Sequence, residues 1–595
     1  MATTWRQRLA TLALERGGLL SLAILVLYLV LAPSFITDGD NAEFSTLAMT
    51  GGAGHPPGYP AYVLYLRAMS WLPAASGAHA AALATAIVGG ATAFVLHQAC
   101  RAWGARPAAC SIAVAIVSGA PVVLRLHTSA EVFAMNDLVA ALVIWLAAAA
   151  GPLRGVRRAL VLALVAGLGL ADHHTCALLA PVGLLGVVRG IRESDNKAGA
   201  TAAAFGGLLV GLSPYLYLFG APHSAASWGN PSSFSELLAH FTRKDYGGIG
   251  AFSPVPGEVD VGANLRALAM TLGRAWLWAP AVIALGALVL RSVQRSEDGE
   301  PRSGWIALAI TFLLAGPLLI ARFNVPPVGI GLFICQRFHL LAVIVLTVPA
   351  AAALDAGFTL ARRVEVGLLR RALVRELVAV AVFGAAAGAS LPHLLETHSP
   401  AVEKGVVNIL QSLPPDAVVL GTADDLHFGA LYVQQVRGIR KDVDVITWPM
   451  TTMRWYREQF AARGLAIDPH APGDEVPSLR VARQLLASGR PLFVEISMGT
   501  ILQTFESYPH GVLFRVLPPG THKPDLDEIL RINRDLFAAF DLAYPRPSHT
   551  SEYAAEMHQR YARTWDILAR ALAEAHRPDE ARDARELVHE LVPTP

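Results

Sequence analysis

In DGDNAEF, residues 38–44, three carboxylates (Asp38, Asp40 and Glu43) crowd one short stretch, and His55 follows in HPPGYP. A carboxylate held against a hydroxyl and shielded from bulk water can act as a general base. A second carboxylate three residues on shares its helical face and can raise its pKa or orient the acceptor. Asp40 and Glu43 have that spacing. The same residues can equally do structural work, because Asp38 or Asp40 can cap the helix that AEFSTLAM starts. The prolines of His55-Pro56-Pro57-Gly58 stiffen the chain, which suits a ligand-holding loop or a plain turn.

Further candidates lie downstream. In HTSAEVFAMND, residues 127–137, Glu131 opens an apolar run, with Asn136 and Asp137 about a turn further in. Ionisable groups at membrane depth are costly and point to function, although a helix N-terminus also welcomes a carboxylate. His173 and His174 occupy a tight turn in ADHHT. Adjacent histidines diverge, so a zinc site built on the pair is a poor prospect, whereas contact with a phosphate, contact with a sugar hydroxyl, or a structural turn all fit. Arg243 and Lys244, in a loop that also holds Trp228, and Arg337 in ICQRFHLLAVIV are the kind of cations an anionic phosphate needs. For Arg337, an interfacial anchor is the competing reading.

These residues need a membrane frame to hold them. The 595-residue chain is 54% hydrophobic and 16% charged, with a mean hydropathy of +0.44, too apolar for one water-soluble core. The net charge of +2 does not call for nucleic acid, and none is expected as a partner. Cys100, Cys110, Cys176 and Cys335 have no metal-type spacing and read as small buried hydrophobes. Runs near twenty apolar residues predict about eleven transmembrane helices, at 18–35, 79–99, 108–124, 131–150, 158–171, 175–190, 201–220, 263–291, 304–321, 336–355 and 376–392. The first reads as an uncleaved span rather than a secretory signal. The AYVLYLRAMSWLPAAS stretch suits a helix lying in the interface.

Arginine and lysine mark cytoplasmic loops. Arg6, Arg8 and Arg16 put the N-terminus inside, and further clusters at Arg101 and Arg106, Arg154 to Arg158, Arg189 to Lys197, Arg291 to Arg302 and Arg362 to Arg375 fall in gaps on the same side. The acidic and histidine-bearing loops then share the extracytoplasmic face, and the C-terminal region lies there too. Residues 1–392 are thus expected to be the membrane domain, 393–525 an extracytoplasmic α/β domain, and 526–595 a helical tail that looks like one tetratricopeptide-type helix pair.

The ordered elements Asp40-Asn41-Ala42-Glu43-Phe44, His55-Pro56-Pro57-Gly58, Ala130-Glu131-Val132-Phe133-Ala134-Met135-Asn136 and His173-His174-Thr175 resemble a membrane family of the GT-C glycosyltransferases. That family was long labelled a domain of unknown function, and its eukaryotic member is a protein O-mannosyltransferase acting on immunoglobulin-like plexin-type domains. LSPYLYL, SWGNP, HFTRKDYGG, QRFHL and GTADDLHFGALYVQQVRGIRKDVDVI extend the similarity to about residue 460. Ala42 stands where the family has glycine, and Asp38 is an extra carboxylate.

The resemblance implies an α-helical polytopic GT-C-like fold in the cell membrane that transfers a sugar, mannose by analogy, from a polyprenyl-phosphate donor to a hydroxyl, such as that of protein Ser or Thr, with inversion. Asp40 would be the base, with Asp38 as runner-up, and Arg243 and Arg337 would hold the leaving phosphate. Glu43, His55, Glu131, Asn136, His173, His174 and Trp228 would shape the donor and acceptor sites. No metal or other cofactor is expected. Three rivals stand beside this reading. A transporter or lipid-sugar flippase should place polar groups near the midplane, an intramembrane aspartyl protease should carry its acids within spans, and a silent scaffold would merely display the C-terminal domain.

Overall fold

The computed structural model describes residues 15–248, 259–294, 299–361, 372–472 and 474–594. Arg6, Arg8, Arg295, Arg362, Arg363, Arg370 and Arg371 of the basic clusters lie outside the described residues.

The N-terminal two thirds is a bundle of apolar helices. Gly77–Ala102, His174–Glu193, Lys197–Gly220 and Ala372–Gln411 are each long and apolar enough to cross a membrane. Three bent pairs raise the number to seven if each counts as one span, and Gly18–Leu31, Phe133–Ala147 and Arg302–Leu318 are shorter apolar helices. Length and composition therefore give four to seven spans among the described residues, against eleven expected. Breaks inside apolar runs separate four from seven; the other four expected spans are helices that are short for a span (Gly18–Leu31, Phe133–Ala147 and Arg302–Leu318) or, in Gly155–Asp172, carry three charged residues. The 263–291 run is two helices, Val261–Ala275 and Ala279–Val293, bent by 105° where Leu277 and Trp278 take positive φ. Pro107–Ser118 and Pro121–Thr128 bend by 72° ahead of Pro121, which has no amide hydrogen for the ladder.

The bundle core runs through Tyr28, Phe44, Tyr62, Trp103, Trp276 and Phe333, and all four cysteines are buried and free. Charge is sorted along the helices. Gly155–Asp172 carries Arg158, paired with Glu193 of the Ala180–Glu193 helix, near one end and Asp172 at the other, about 21 Å apart at 1.5 Å per residue.

The C-terminal part is built on a five-stranded sheet: β1 Val418–Gly421, β2 Asp444–Thr447, β3 Leu492–Val494, β4 Ser507–His510 and β5 Leu513–Val516. The order is β2-β1-β3-β5-β4, with β1 parallel to β2 and β3, and β5 antiparallel to β3 and β4. Pro509 sits in edge strand β4, where its missing donor costs the ladder nothing. The tail helices Tyr553–Glu574 and Pro578–Leu591 pack side by side, and Met557, Tyr561 and Trp565 share one hydrophobic core with Val418, Ile446 and Phe493. Residues 393–525 and 526–595 thus bury their apolar faces together.

That core also takes in Ile36, Ala42, Ala78 and Trp228 from the helical part. The Gly39–Thr50 helix lies against the Asp424–Gln435 helix, so the acidic stretch is clamped between the two halves of the chain.

Candidate active site

Asp38 caps the Gly39–Thr50 helix: its Oδ1 accepts from the Asn41 amide at 3.2 Å, and the residue is buried. Burial pushes its carboxyl up, against the opposing pull of Arg125 and Arg337. Of the two aspartates, this one does the capping.

Asp40 begins the first turn and faces the other way. Its Oδ2 accepts from Nη1 of Arg337, and a quarter of its side chain stays accessible. Burial raises its carboxyl, but the Arg337 charge outweighs it, with help from His55 and Arg243, and holds Asp40 below the ordinary carboxylate range. The same Nη1 lies 3.6 Å from Glu131 Oε1. Glu131 is fully buried, and neither of its oxygens has a hydrogen-bond partner among the described residues. Arg337 is framed by the rings of Phe133 and Phe333, at 5.8 and 5.2 Å. Asn136 lines the cleft beside it with Phe133, Thr175 and Phe338, and its buried Oδ1 has no hydrogen-bond partner among the described residues. Buried polar atoms left unpaired cost of the order of 1–3 kcal/mol each unless something completes them.

Glu43, one turn after Asp40, is tied to the HPPG element. Its Oε1 accepts from the His55 amide at 2.7 Å, and its Oε2 lies 2.5 Å from His55 Nδ1. The opposite ring nitrogen, Nε2, meets the Tyr59 hydroxyl at 2.9 Å. Burial disfavours a charged imidazole, yet the Glu43 carboxylate outweighs it and raises the His55 pKa above its ordinary value. Gly58 permits this turn: its φ is +97°, and a Cβ there would lie 3.0 Å from His240 Nε2.

Aromatic rings wall the site. His55 touches Tyr59, Trp228, Tyr246 and Phe428 at ring distances of 4.8 to 6.4 Å. Trp228 stacks on Tyr246 at 5.8 Å and donates its indole N–H to Asp245 at 3.0 Å. Arg243 lies over Tyr246 at 5.1 Å. The two histidines of the ADHHT turn separate. His173 stacks on Tyr59 at 5.8 Å and bonds Thr175, whereas His174 packs on Phe241 at 4.8 Å.

Some residues at this site carried no sequence signal of a role. Asp424 and Tyr553, from the C-terminal part, close over Gly39: a Cβ there would lie 3.5 Å from Asp424 Cβ and 3.8 Å from the Tyr553 hydroxyl. Asp424 stays open at the mouth, and its crowded, poorly hydrated surroundings, together with the Asp40 charge, push its carboxyl up to about 6. Arg125 donates to Glu552 at 2.7 Å with both side chains buried, and it lies 3.8 Å over the Phe333 ring. Asp424 sits in the GTADDLHF stretch, where two acids open an amphipathic helix; that was the available signal. Glu552 had none.

Asp40, Glu43 and His55 present oxygen and nitrogen atoms within 4.8 Å of one another, a grouping that can hold a cation. Those atoms are already engaged, by Arg337, by the His55 amide and ring, and by Tyr59. A metal would have to displace these partners.

Residues 40–196 match the family model "Protein O-mannosyl-transferase TMEM260 N-terminal domain". The chain is 24% identical over 469 residues to the mouse protein O-mannosyl-transferase TMEM260, a match covering 76% of this chain and 65% of the relative. It is 19% identical over 587 residues to the Dictyostelium discoideum protein O-mannosyl-transferase tmem260, covering 90% of this chain and 70% of that one. The chain therefore spans less than two thirds of the mouse relative's length. Among solved structures, ArnT from Cupriavidus metallidurans bound to undecaprenyl phosphate aligns with a TM-score of 0.50 at 14% identity, over 85% of this chain and 98% of that one. The family resemblance carried by the sequence motifs is borne out, and over most of its length the chain shares the fold of ArnT.

Proposed function

With residues 40–196 a domain of the GT-C O-mannosyltransferase family, we propose that this chain transfers mannose from a polyprenyl-phosphate donor to a hydroxyl, that of protein Ser or Thr, on the extracytoplasmic face of the membrane. The observation that carries this reading is the Arg337 guanidinium held between Asp40 and Glu131 beside unpaired buried polar atoms. The ArnT that shares the fold was solved with undecaprenyl phosphate, and this supports a lipid-phosphate donor here.

In the reaction, the acceptor oxygen attacks the anomeric carbon from the side opposite the phosphate. The C1–O bond to phosphate breaks, the hydroxyl proton passes to Asp40, and the polyprenyl phosphate leaves with its negative charge. Inversion follows from the single displacement. Arg337, with Arg243, meets the charge that develops on the leaving phosphate.

In the resting state Arg337 is spent on Asp40, which makes that carboxylate a weak base. A donor phosphate competes for the guanidinium and draws it off Asp40, whose proton affinity then rises. The base is therefore strengthened only when donor is bound. Glu43 orients His55 through two contacts, and His55 with Tyr59, Trp228 and Tyr246 shapes the acceptor pocket. Asp38 keeps its capping role. No metal step is assigned, because Arg337 and His55 already occupy the oxygens a metal would need.

A transporter or flippase is less well supported, since the ionisable groups gather at one mouth of the bundle rather than at its midplane. The test is incubation of the purified full chain with labelled polyprenyl-phosphate mannose and a Ser/Thr-bearing polypeptide. O-linked label on the polypeptide is expected; movement of the lipid between leaflets without transfer would support the rival.

A further inference from the structure

A cavity of about 500 Å³ opens between the 223–230 loop and the C-terminal domain. Its loop wall is bonded to the His55 segment: the Trp228 amide donates to Ala53 O at 2.8 Å, and the Ala53 amide donates to Ser227 Oγ at 2.8 Å. On the domain wall, Trp455 packs on Trp228 with ring centres 5.6 Å apart, and Trp228 is 6.2 Å from the His55 ring. Cavity and site are thus two ring contacts apart, the reach of about four residues of extended chain at ~3.3 Å each.

Part of the cavity is the edge of the sheet. β2 pairs with β1 alone, and the Asp444 amide donates to Ala417 O, so Asp444 and Ile446 direct their main-chain groups at β1 while Val443, Val445 and Thr447 direct theirs outward. Gln434 Nε2 donates to Val443 O at 2.8 Å, and the Thr447 amide donates to the Tyr456 hydroxyl at 2.8 Å. Val445, which lines the cavity, has neither amide nor carbonyl hydrogen-bonded among the described residues. The buried indole N–H of Trp455, beside Gly229, is also unpaired among the described residues. A donor and an acceptor on one edge residue are what an added strand pairs with. An extended polypeptide offers the complementary donor and acceptor on every second residue.

We propose that this cavity binds the acceptor polypeptide in extended form, pairing with Val445 and packing a side chain on Trp455, Tyr456 and Phe460, and so leads a Ser or Thr to Asp40. The inference rests on the transferase reading. Main-chain pairing tolerates many sequences, so the cavity selects an extended hydroxyl-bearing segment rather than a sequence motif.

The test uses the full chain in detergent, a fluorescein-labelled peptide of about twelve residues with a central Thr among alternating Val and Thr, and N-acetylthreonine methylamide, which is too short to reach the cavity. Gln459→Trp and Gln435→Trp, from separate helices lining the cavity, fill it. Each is expected to weaken peptide binding and raise the peptide KM by at least about tenfold, with kcat and the KM for the short acceptor unchanged. Wild-type peptide affinity in both variants, equal loss on both acceptors, or no saturable peptide binding by the wild type would overturn the proposal. Peptide binding that is lost in the variants, without mannose transfer by the wild type, would instead sink the transferase reading and keep the cavity.

Discussion

Arg337 and Asp40, separated by 297 positions in the sequence, form one ion pair at the mouth of the helical bundle. Neither residue is committed to the other by the fold alone, because Arg337 also leans toward Glu131 and Asp40 keeps part of its surface open. The pair is therefore a resting arrangement that an anionic donor can rearrange.

Replacing Arg337 separates its two tasks. On the proposed reaction, Arg337→Gln removes a cation that meets the leaving phosphate, and transfer should fall by at least about a hundredfold. Free Asp40 also loses the charge that holds its pKa down, so the acid limb of the residual kcat/KM profile, which reports the unliganded enzyme, should move to higher pH. Arg337→Lys should restore charge without the planar two-pronged geometry and recover only part of the rate. An unshifted acid limb would mean that Asp40 is not the titrating group.

The Glu43–His55 pair makes stability depend on pH in a stated direction. The folded pKa of His55 lies above its ordinary 6.5, so the pair's contribution is complete below that pH and is lost as pH rises through the folded value. Glu43→Gln keeps an acceptor for the His55 amide but not the charge. The melting-temperature deficit of this variant should be larger near about pH 6 than near about pH 9; an equal deficit at both would contradict the ion pair.

The Arg125–Glu552 pair joins the bundle to the tail with both partners buried. Arg125→Leu or Glu552→Leu alone strands a buried charge and should cost about 3–5 kcal/mol, whereas the double variant should recover most of that loss. Thermal unfolding of the three variants in one detergent measures it.

Chelation tests the Asp40, Glu43 and His55 grouping. Transfer should survive excess EDTA unchanged, because the oxygens a metal would need are taken by Arg337 and His55. Loss of activity restored by a divalent cation would show that the trio holds a metal.

The sequence made the short-range parts of the site legible. Asp40 and Glu43 share a helix face by spacing, and His55 lies near enough in the chain for Glu43 to hold both its amide and its ring. It left open which aspartate caps the helix, since Asp38 and Asp40 are equally suited in type and only the backbone decides. Tyr553 and Glu552 were hidden because they reach the site through packing between the two halves, which no local pattern records. The bends at Leu277 and Trp278 were hidden as well, because hydropathy measures the apolar character of a run and not its direction. Strand β4 carries no strand signal, since SYPH lacks a strand's alternation and contains proline.

The most direct measurement is the turnover of labelled polyprenyl-phosphate mannose by Asp40→Asn and Asp38→Asn at matched folding. Asp40→Asn should lose about 10²–10⁴-fold in kcat with donor still bound. Asp38→Asn, which keeps a capping oxygen, should stay within a few-fold of wild type. Full turnover by Asp40→Asn, or the loss falling on Asp38→Asn instead, would contradict Asp40 as the base.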